Sequence, residues 1–262
     1  MRYKTKAIIT GNVIEVYHYD KVVLRGKDLQ SARAGGGNKK MNEETSDMKQ
    51  NELVDTQKSM SDSIRRTRNT IRRTINSNTG KWDEKEKFLT LTFKEHLTDQ
   101  DETNKLFTEF VRKLSYSVFK KRSGLKYLCV VERMANGRIH YHVLFFNLPY
   151  KPVNEIADIW AQGFVKINAI DNVDNLGAYV CKYMSKTAVE NSEKSAKEKD
   201  KKMYFVSRGL HKPKEVCDAT KEGAEQIAML RWEMEDFKSY EAVFENEHQK
   251  VLYEQYNLNR KQ

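Results

Sequence analysis

The chain has 262 residues, 39% apolar and 32% charged, with a mean hydropathy of −0.79. That is long enough to bury a core, and no apolar run approaches the ~18 residues of a membrane span, which argues against an integral helical membrane protein. Lys and Arg exceed Asp and Glu by ten; seven basic and eleven acidic residues from Lys214 onward put −4 there and leave +14 on residues 1–213.

A basic body with an acidic tail suits a polyanionic partner, nucleic acid first of all. Cys129, Cys181 and Cys217 are few, scattered and odd in number, so a disulfide framework is not expected and a reducing cytoplasm fits. The start, Met1-Arg2-Tyr3-Lys4-Thr5-Lys6, leads into a strand-like segment and not into the apolar core of a signal peptide.

In chain order, Ala7–Thr10 and Val13–Tyr19 flank Gly11-Asn12 and predict a hairpin, with Val22–Leu24 as a third strand. Residues 29–80 change character. The first half, with Gly35-Gly36-Gly37, reads as a polar linker. Met60 to Asn76 sets Ile64, Ile71 and Ile75 at helical spacing, surrounded by Arg65, Arg66, Arg68, Arg72 and Arg73. This basic amphipathic helix could grip a phosphate backbone, lie on a membrane or dock on a sheet; the phosphate reading is favoured.

Phe88–Phe93 predicts a strand, Thr103–Phe119 an amphipathic helix, and Tyr127–Arg133 and Arg138–Phe146 a hairpin about Ala135-Asn136-Gly137. A short helix at Asn154–Gln162, a strand at Phe164–Ile167, a helix at Asn175–Lys186, a charged loop at Lys194–Lys202 and a strand at Tyr204–Ser207 follow. Without a βαβ rhythm, the class expected is α+β: a central antiparallel sheet with flanking helices. The organisation expected is an N-terminal hairpin (1–28), the polar and basic insert (29–80), a core (81–213) and an acidic helical tail (214–262).

The chemistry concentrates in Arg138-Ile139-His140-Tyr141-His142-Val143-Leu144-Phe145-Phe146. Alternation along a strand points both imidazoles to one face. If Asn136 centres the turn, residue 132 lies opposite 140 and residue 130 opposite 142, which brings Glu132 beside His140. Two imidazoles and a carboxylate with open positions suit a divalent ion such as Mn²⁺ or Mg²⁺. Ordinary packing of two strand histidines is the alternative. Tyr179 and Tyr183 lie one helical turn apart, on the side of Leu176 and Val180, with Lys182 and Lys186 each three residues after a tyrosine. They can be core tyrosines or nucleophiles; a phenol with a pKa of about 10 needs help to attack phosphorus, which an ammonium and a metal ion supply.

Phe88-Leu89-Thr90-Leu91-Thr92-Phe93, then Glu132 with His140-x-His142, then Tyr179-x-x-Lys182-Tyr183-x-x-Lys186, together resemble the HUH endonuclease superfamily. Within it the chain is most similar to two-tyrosine rolling-circle replication initiators of bacterial plasmids and single-stranded DNA phages. The resemblance covers roughly residues 88–210, and the long insert at 29–80 departs from it.

It implies that Glu132, His140 and His142 hold the metal ion. A tyrosine, Tyr179 before Tyr183, attacks the scissile phosphate and leaves a 5′-phosphotyrosine and a free 3′-hydroxyl. The link keeps the bond energy, so rejoining needs no ATP, and the second tyrosine can cleave the regenerated site. Lys182 and Lys186 assist catalysis. Thr90, Thr92, Arg208 and the five arginines from Arg65 to Arg73 contact DNA. Single-stranded origin DNA in a bacterial cytoplasm is the implied partner, with a host helicase and polymerase, since the chain carries no Gly-x-x-x-x-Gly-Lys loop. A relaxase or single-strand transposase with the same chemistry, or a non-catalytic nucleic-acid-binding protein, are the alternatives.

Overall fold

The computed structural model describes residues 1–34, 48–168, 170, 173, 175–182 and 201–260, with side chains in 31–61 excepted. No helix among them is long and apolar enough to cross a membrane. The chain divides into two compact units, Met1–Asp55 with Lys212–Gln262, and Thr56–His211. It is an α+β protein with two five-stranded antiparallel sheets.

The first unit is built from both ends of the chain. Strands β1 (Arg2–Thr10) and β2 (Val13–Leu24) form the expected hairpin, with Gly11 at φ 59° in its two-residue turn. Val22–Leu24 is not a third strand: β2 runs on through it, and Val23 pairs with Tyr3 after a register shift in β1.

The C-terminal segment corrects the helical-tail expectation. It holds three strands, the last in chain order: β8 (Lys214–Cys217), β9 (Lys238–Glu245) and β10 (Lys250–Asn257). One helix, α6 (Lys221–Glu233), lies among them. The sheet order is β8-β1-β2-β10-β9. Acidic residues and a lack of Pro suggest helix, but Val251, Tyr253 and Tyr256 find cross-strand partners on β2, and tertiary pairing overrides a weak local preference. Ile227 of α6 packs against Ala7, Ile14, Val16, Val216 and Tyr256. Burial pulls the Glu254 carboxyl up, yet hydrogen bonds from Arg231, His18 and Lys238 outweigh it and hold the group at about 2.

In the insert, residues 35–47 lie outside the described ones. Helix α1 (Lys27–Ala34) and α2 (Met48–Asn78) flank them, so helix begins well before Met60 and the linker is shorter than expected.

The second unit is a sheet of order β6-β3-β5-β4-β7, from β3 (Lys87–Leu91), β4 (Tyr127–Arg133), β5 (Ile139–Phe145), β6 (Val165–Asn168) and β7 (Tyr204–Val206). One face carries α3 (Gln100–Phe119), whose first turn is capped by the Asp99 carboxylate, and α4 (Val153–Trp160). Their apolar sides and Leu89, Leu91, Tyr141, Val143 and Phe145 form the larger core. On the other face Ile71 and Ile75 of α2 and Leu176 and Val180 of α5 (176–182) bury Phe88, Leu128, Val130, Leu144 and Phe146. That cover ends at Phe88 and Leu144, and the polar residues of the same face lie just past it.

Helices α2 and α5 meet closely. A Cβ on Gly177 would stand 2.4 Å from the Arg72 carbonyl oxygen and 2.6 Å from Asn76 Oδ1. Asn76 Oδ1 accepts from the Gly177 N–H at 3.0 Å, and Asn175 Oδ1 accepts from the Ala178 N–H at 3.0 Å, capping α5. Gly177→Val is therefore expected to push the helices apart and cost about 1–3 kcal/mol, read as a lower urea midpoint.

Candidate functional site

Residues paired directly across a sheet share a face, so the register maps the site. Glu132 pairs with His140 and Val130 with His142, the register that a turn centred on Asn136 requires. On the other side of β5, His142 pairs with Thr90, and Thr90 pairs with Lys166 of β6. Phe88, Leu144, Leu128 and Asn168 make the next rung, under the helical cover.

Glu132 Oε2 lies 2.7 Å from His142 Nε2 and 4.0 Å from His140 Nδ1. The side chains of His142 and Glu132 are 4% and 12% exposed and that of His140 is 20%, so the cluster sits at the surface with one open member. His142 Nδ1 is 3.1 Å from Thr90 Oγ1, to which Asn168 Nδ2 donates at 3.3 Å. A hydroxyl on Nδ1 fixes the ring and aims Nε2 at Glu132. Burial lowers the pKa of His140, against the upward pull of Glu132, which favours the neutral imidazole that binds metals.

Among the described residues no three His, Cys, Asp or Glu groups already enclose a metal position. Glu132 instead closes on His142 directly. The donors nonetheless fit a divalent cation: two imidazoles and one carboxylate converge from one face, and the buried His142 has its second nitrogen held by Thr90. A cation there would take the place of the proton between Nε2 and Oε2.

Tyr179 is on this same face. Its ring meets Phe88 edge-on at 5.8 Å, and Phe88 stacks on His142 at 6.0 Å, so one residue separates phenol from imidazole. Lys182 Nζ lies 5.8 Å from the Tyr179 ring centre. Tyr183 and Lys186 lie outside the described residues. Cys181 is buried, with its thiol 3.4 Å from the Arg68 carbonyl, and burial raises its pKa; it packs, as expected, and is no nucleophile.

The structure sorts the expected DNA contacts. Arg65, Arg68 and Arg72, with Asn69, line a cleft of about 210 Å³ closed by Ala178 and Cys181 on either side of Tyr179 in sequence. Arg66 and Arg73 are not part of that lining. The Thr90 hydroxyl faces His142, and the Thr92 hydroxyl bonds the backbone of Phe164 at 3.3 Å. Arg208 is exposed, and its carbonyl accepts from Lys126 Nζ at 2.8 Å. Six residues of β4 separate Lys126 from Glu132, about 20 Å at ~3.3 Å each, so Arg208 stands apart from the histidines. Sequence reasoning misses Lys166 and Asn168, which only the β3–β6 pairing brings beside Thr90.

Comparison with known proteins places residues 86–188 in a match to the family described as replication-associated protein ORF2. The chain is also 32% identical over 133 residues to the Phasyl DNA replicon protein arp of Escherichia coli. That alignment covers 40% of this chain and 45% of the relative, so the chain spans less than half of the relative's length. No solved structure gives a significant match. The family match contains the Glu132, His140, His142 and Tyr179 region, and both similarities point to a replication-associated protein.

Proposed function

We propose that this chain is a rolling-circle replication initiator that nicks and rejoins single-stranded origin DNA through a 5′-phosphotyrosine, as HUH endonucleases of the two-tyrosine type do. The observation that carries the reading is the shared face: Glu132, His140 and His142 lie on the side of the sheet that also carries Tyr179.

Glu132, His140 and His142 would hold Mn²⁺ or Mg²⁺, which when bound polarises the scissile phosphate and stabilises the leaving 3′-oxygen. Thr90 and Asn168 hold the His142 ring so that Nε2 faces the phosphate side and not the core. Tyr179 attacks phosphorus through its phenolic oxygen, and Lys182 places a positive charge beside the phenolate that forms. Arg65, Arg68 and Arg72 neutralise backbone phosphates next to the tyrosine helix. Tyr183 and Lys186, one turn further on, take the second cleavage. A bacterial cytoplasm, a host helicase and a host polymerase belong to the same reading.

The test mixes the full chain with single-stranded origin DNA from its replicon and Mn²⁺ or Mg²⁺, followed by a denaturing gel. A protein–DNA adduct that needs the metal is expected; DNA binding with no adduct would leave only a nucleic-acid-binding protein. Thr90→Val keeps the shape at that position but takes the partner from His142 Nδ1, and is expected to weaken Mn²⁺ binding about 10–100-fold by calorimetry, with the fold intact. Unchanged affinity would remove Thr90 from that role.

A further inference from the structure

Phe164 and Lys166 stand on the metal-donor face of the sheet without contributing to its core. Lys166 pairs with Thr90, itself paired with His142. Phe164 exchanges hydrogen bonds with Thr92, whose N–H donates to the Phe164 carbonyl at 3.0 Å and whose Oγ1 accepts from the Phe164 N–H at 3.3 Å. By alternation Phe164 and Lys166 share the face of Thr90 and His142, while Val165 between them joins the opposite core. Phe164 is 67% exposed, and Lys166 is exposed as well.

The exposed ring is fixed in place. A Cβ on Gly163 would meet the Thr92 carbonyl oxygen at 2.4 Å and the Lys94 nitrogen at 2.7 Å, so only glycine lets this segment press against the end of β3. The Lys94 N–H donates to the Gln162 carbonyl at 2.8 Å, and Trp160 Nε1 donates to the Thr92 carbonyl at 2.9 Å. Clamped on both sides, the Phe164 backbone holds an aromatic ring in solvent, where a merely packed phenylalanine would turn inward.

β6 and β5 are separated by one strand, so Phe164 and Lys166 lie about 10 Å from the histidines across the sheet. A neighbouring nucleotide of a strand held at the histidines covers that distance. Building on the proposed function, we infer that Phe164 and Lys166 form a ledge that receives the nucleotide flanking the scissile phosphate. Phe164 stacks on its base and Lys166 pairs with its phosphate. Stacking needs an unpaired base, so the ledge selects single-stranded substrate and tolerates any base identity.

The test measures binding by fluorescence anisotropy in EDTA, where no cleavage occurs, with labelled oligothymidylate and an abasic strand of equal length and charge. Phe164→Ala is expected to weaken oligothymidylate binding at least about fivefold and leave the abasic strand unaffected. Lys166→Gln is expected to weaken both and to reduce the salt slope by about 0.7. A Phe164→Ala protein that bound oligothymidylate as the parent does, or lost equally on both strands, would overturn the ledge. The urea midpoint should stay unchanged, since the ring is exposed; a fall would mark the residue as structural and overturn it too. Ledge binding without any adduct in the metal-containing assay would remove the nicking reading alone. An adduct with no Phe164 effect would remove the ledge alone.

Discussion

Replacing both tyrosines, as Tyr179→Phe with Tyr183→Phe, is expected to reduce covalent protein–DNA product at least about a thousandfold, because a nucleophile acts as part of a unit whose loss is nearly complete. The phenyl ring keeps the edge contact to Phe88, so fold and single-strand binding should survive. Tyr179→Phe alone is expected to remove the larger share of the adduct, since this ring is tied through Phe88 to the histidines. Labelled origin DNA on a denaturing gel reads both effects. Adduct formed by the double variant at the parent rate would mean that some other group attacks phosphorus.

The second large effect is expected at Glu132. Alanine would leave His142 Nε2, in a side chain only 4% exposed, without its partner, at a cost of about 1–3 kcal/mol that confuses folding with function. Glu132→Gln avoids this: its amide oxygen still accepts from Nε2–H, but the negative charge that draws a cation is gone. The urea midpoint should stay near the parent value while Mn²⁺ affinity, by calorimetry, falls at least about a hundredfold and metal-dependent nicking falls with it. His142→Ala should match it in metal binding. Metal affinity unchanged in Glu132→Gln would take the carboxylate out of the site.

Much of the local geometry was legible in the residues. The Asn136 turn set the register that puts Glu132 opposite His140, because a short hairpin leaves little freedom in pairing. Leu176, Tyr179 and Val180 were readable as one helical side, and Leu176 and Val180 pack on the sheet as that side requires. Other features were not legible. Thr90 looked like a DNA contact, and its bond to His142 spans 52 residues of sequence that no local rule crosses. The acidic C-terminal stretch carried no strand signal strong enough to compete with helix until β2 supplied a partner for β10.

The sequence alone determined the α+β class, the one-faced histidine pair with its carboxylate, and the spacing of tyrosines and lysines, since each follows from a strand period of two or a helix turn. Only the tertiary structure decided that α5 packs on the histidine face, that Thr90 and Asn168 brace His142, and that Phe164 and Lys166 flank them. The reason is physical: periodicity says which residues share a side of an element, while the face that side meets depends on long-range pairing and on which apolar surfaces can be buried together.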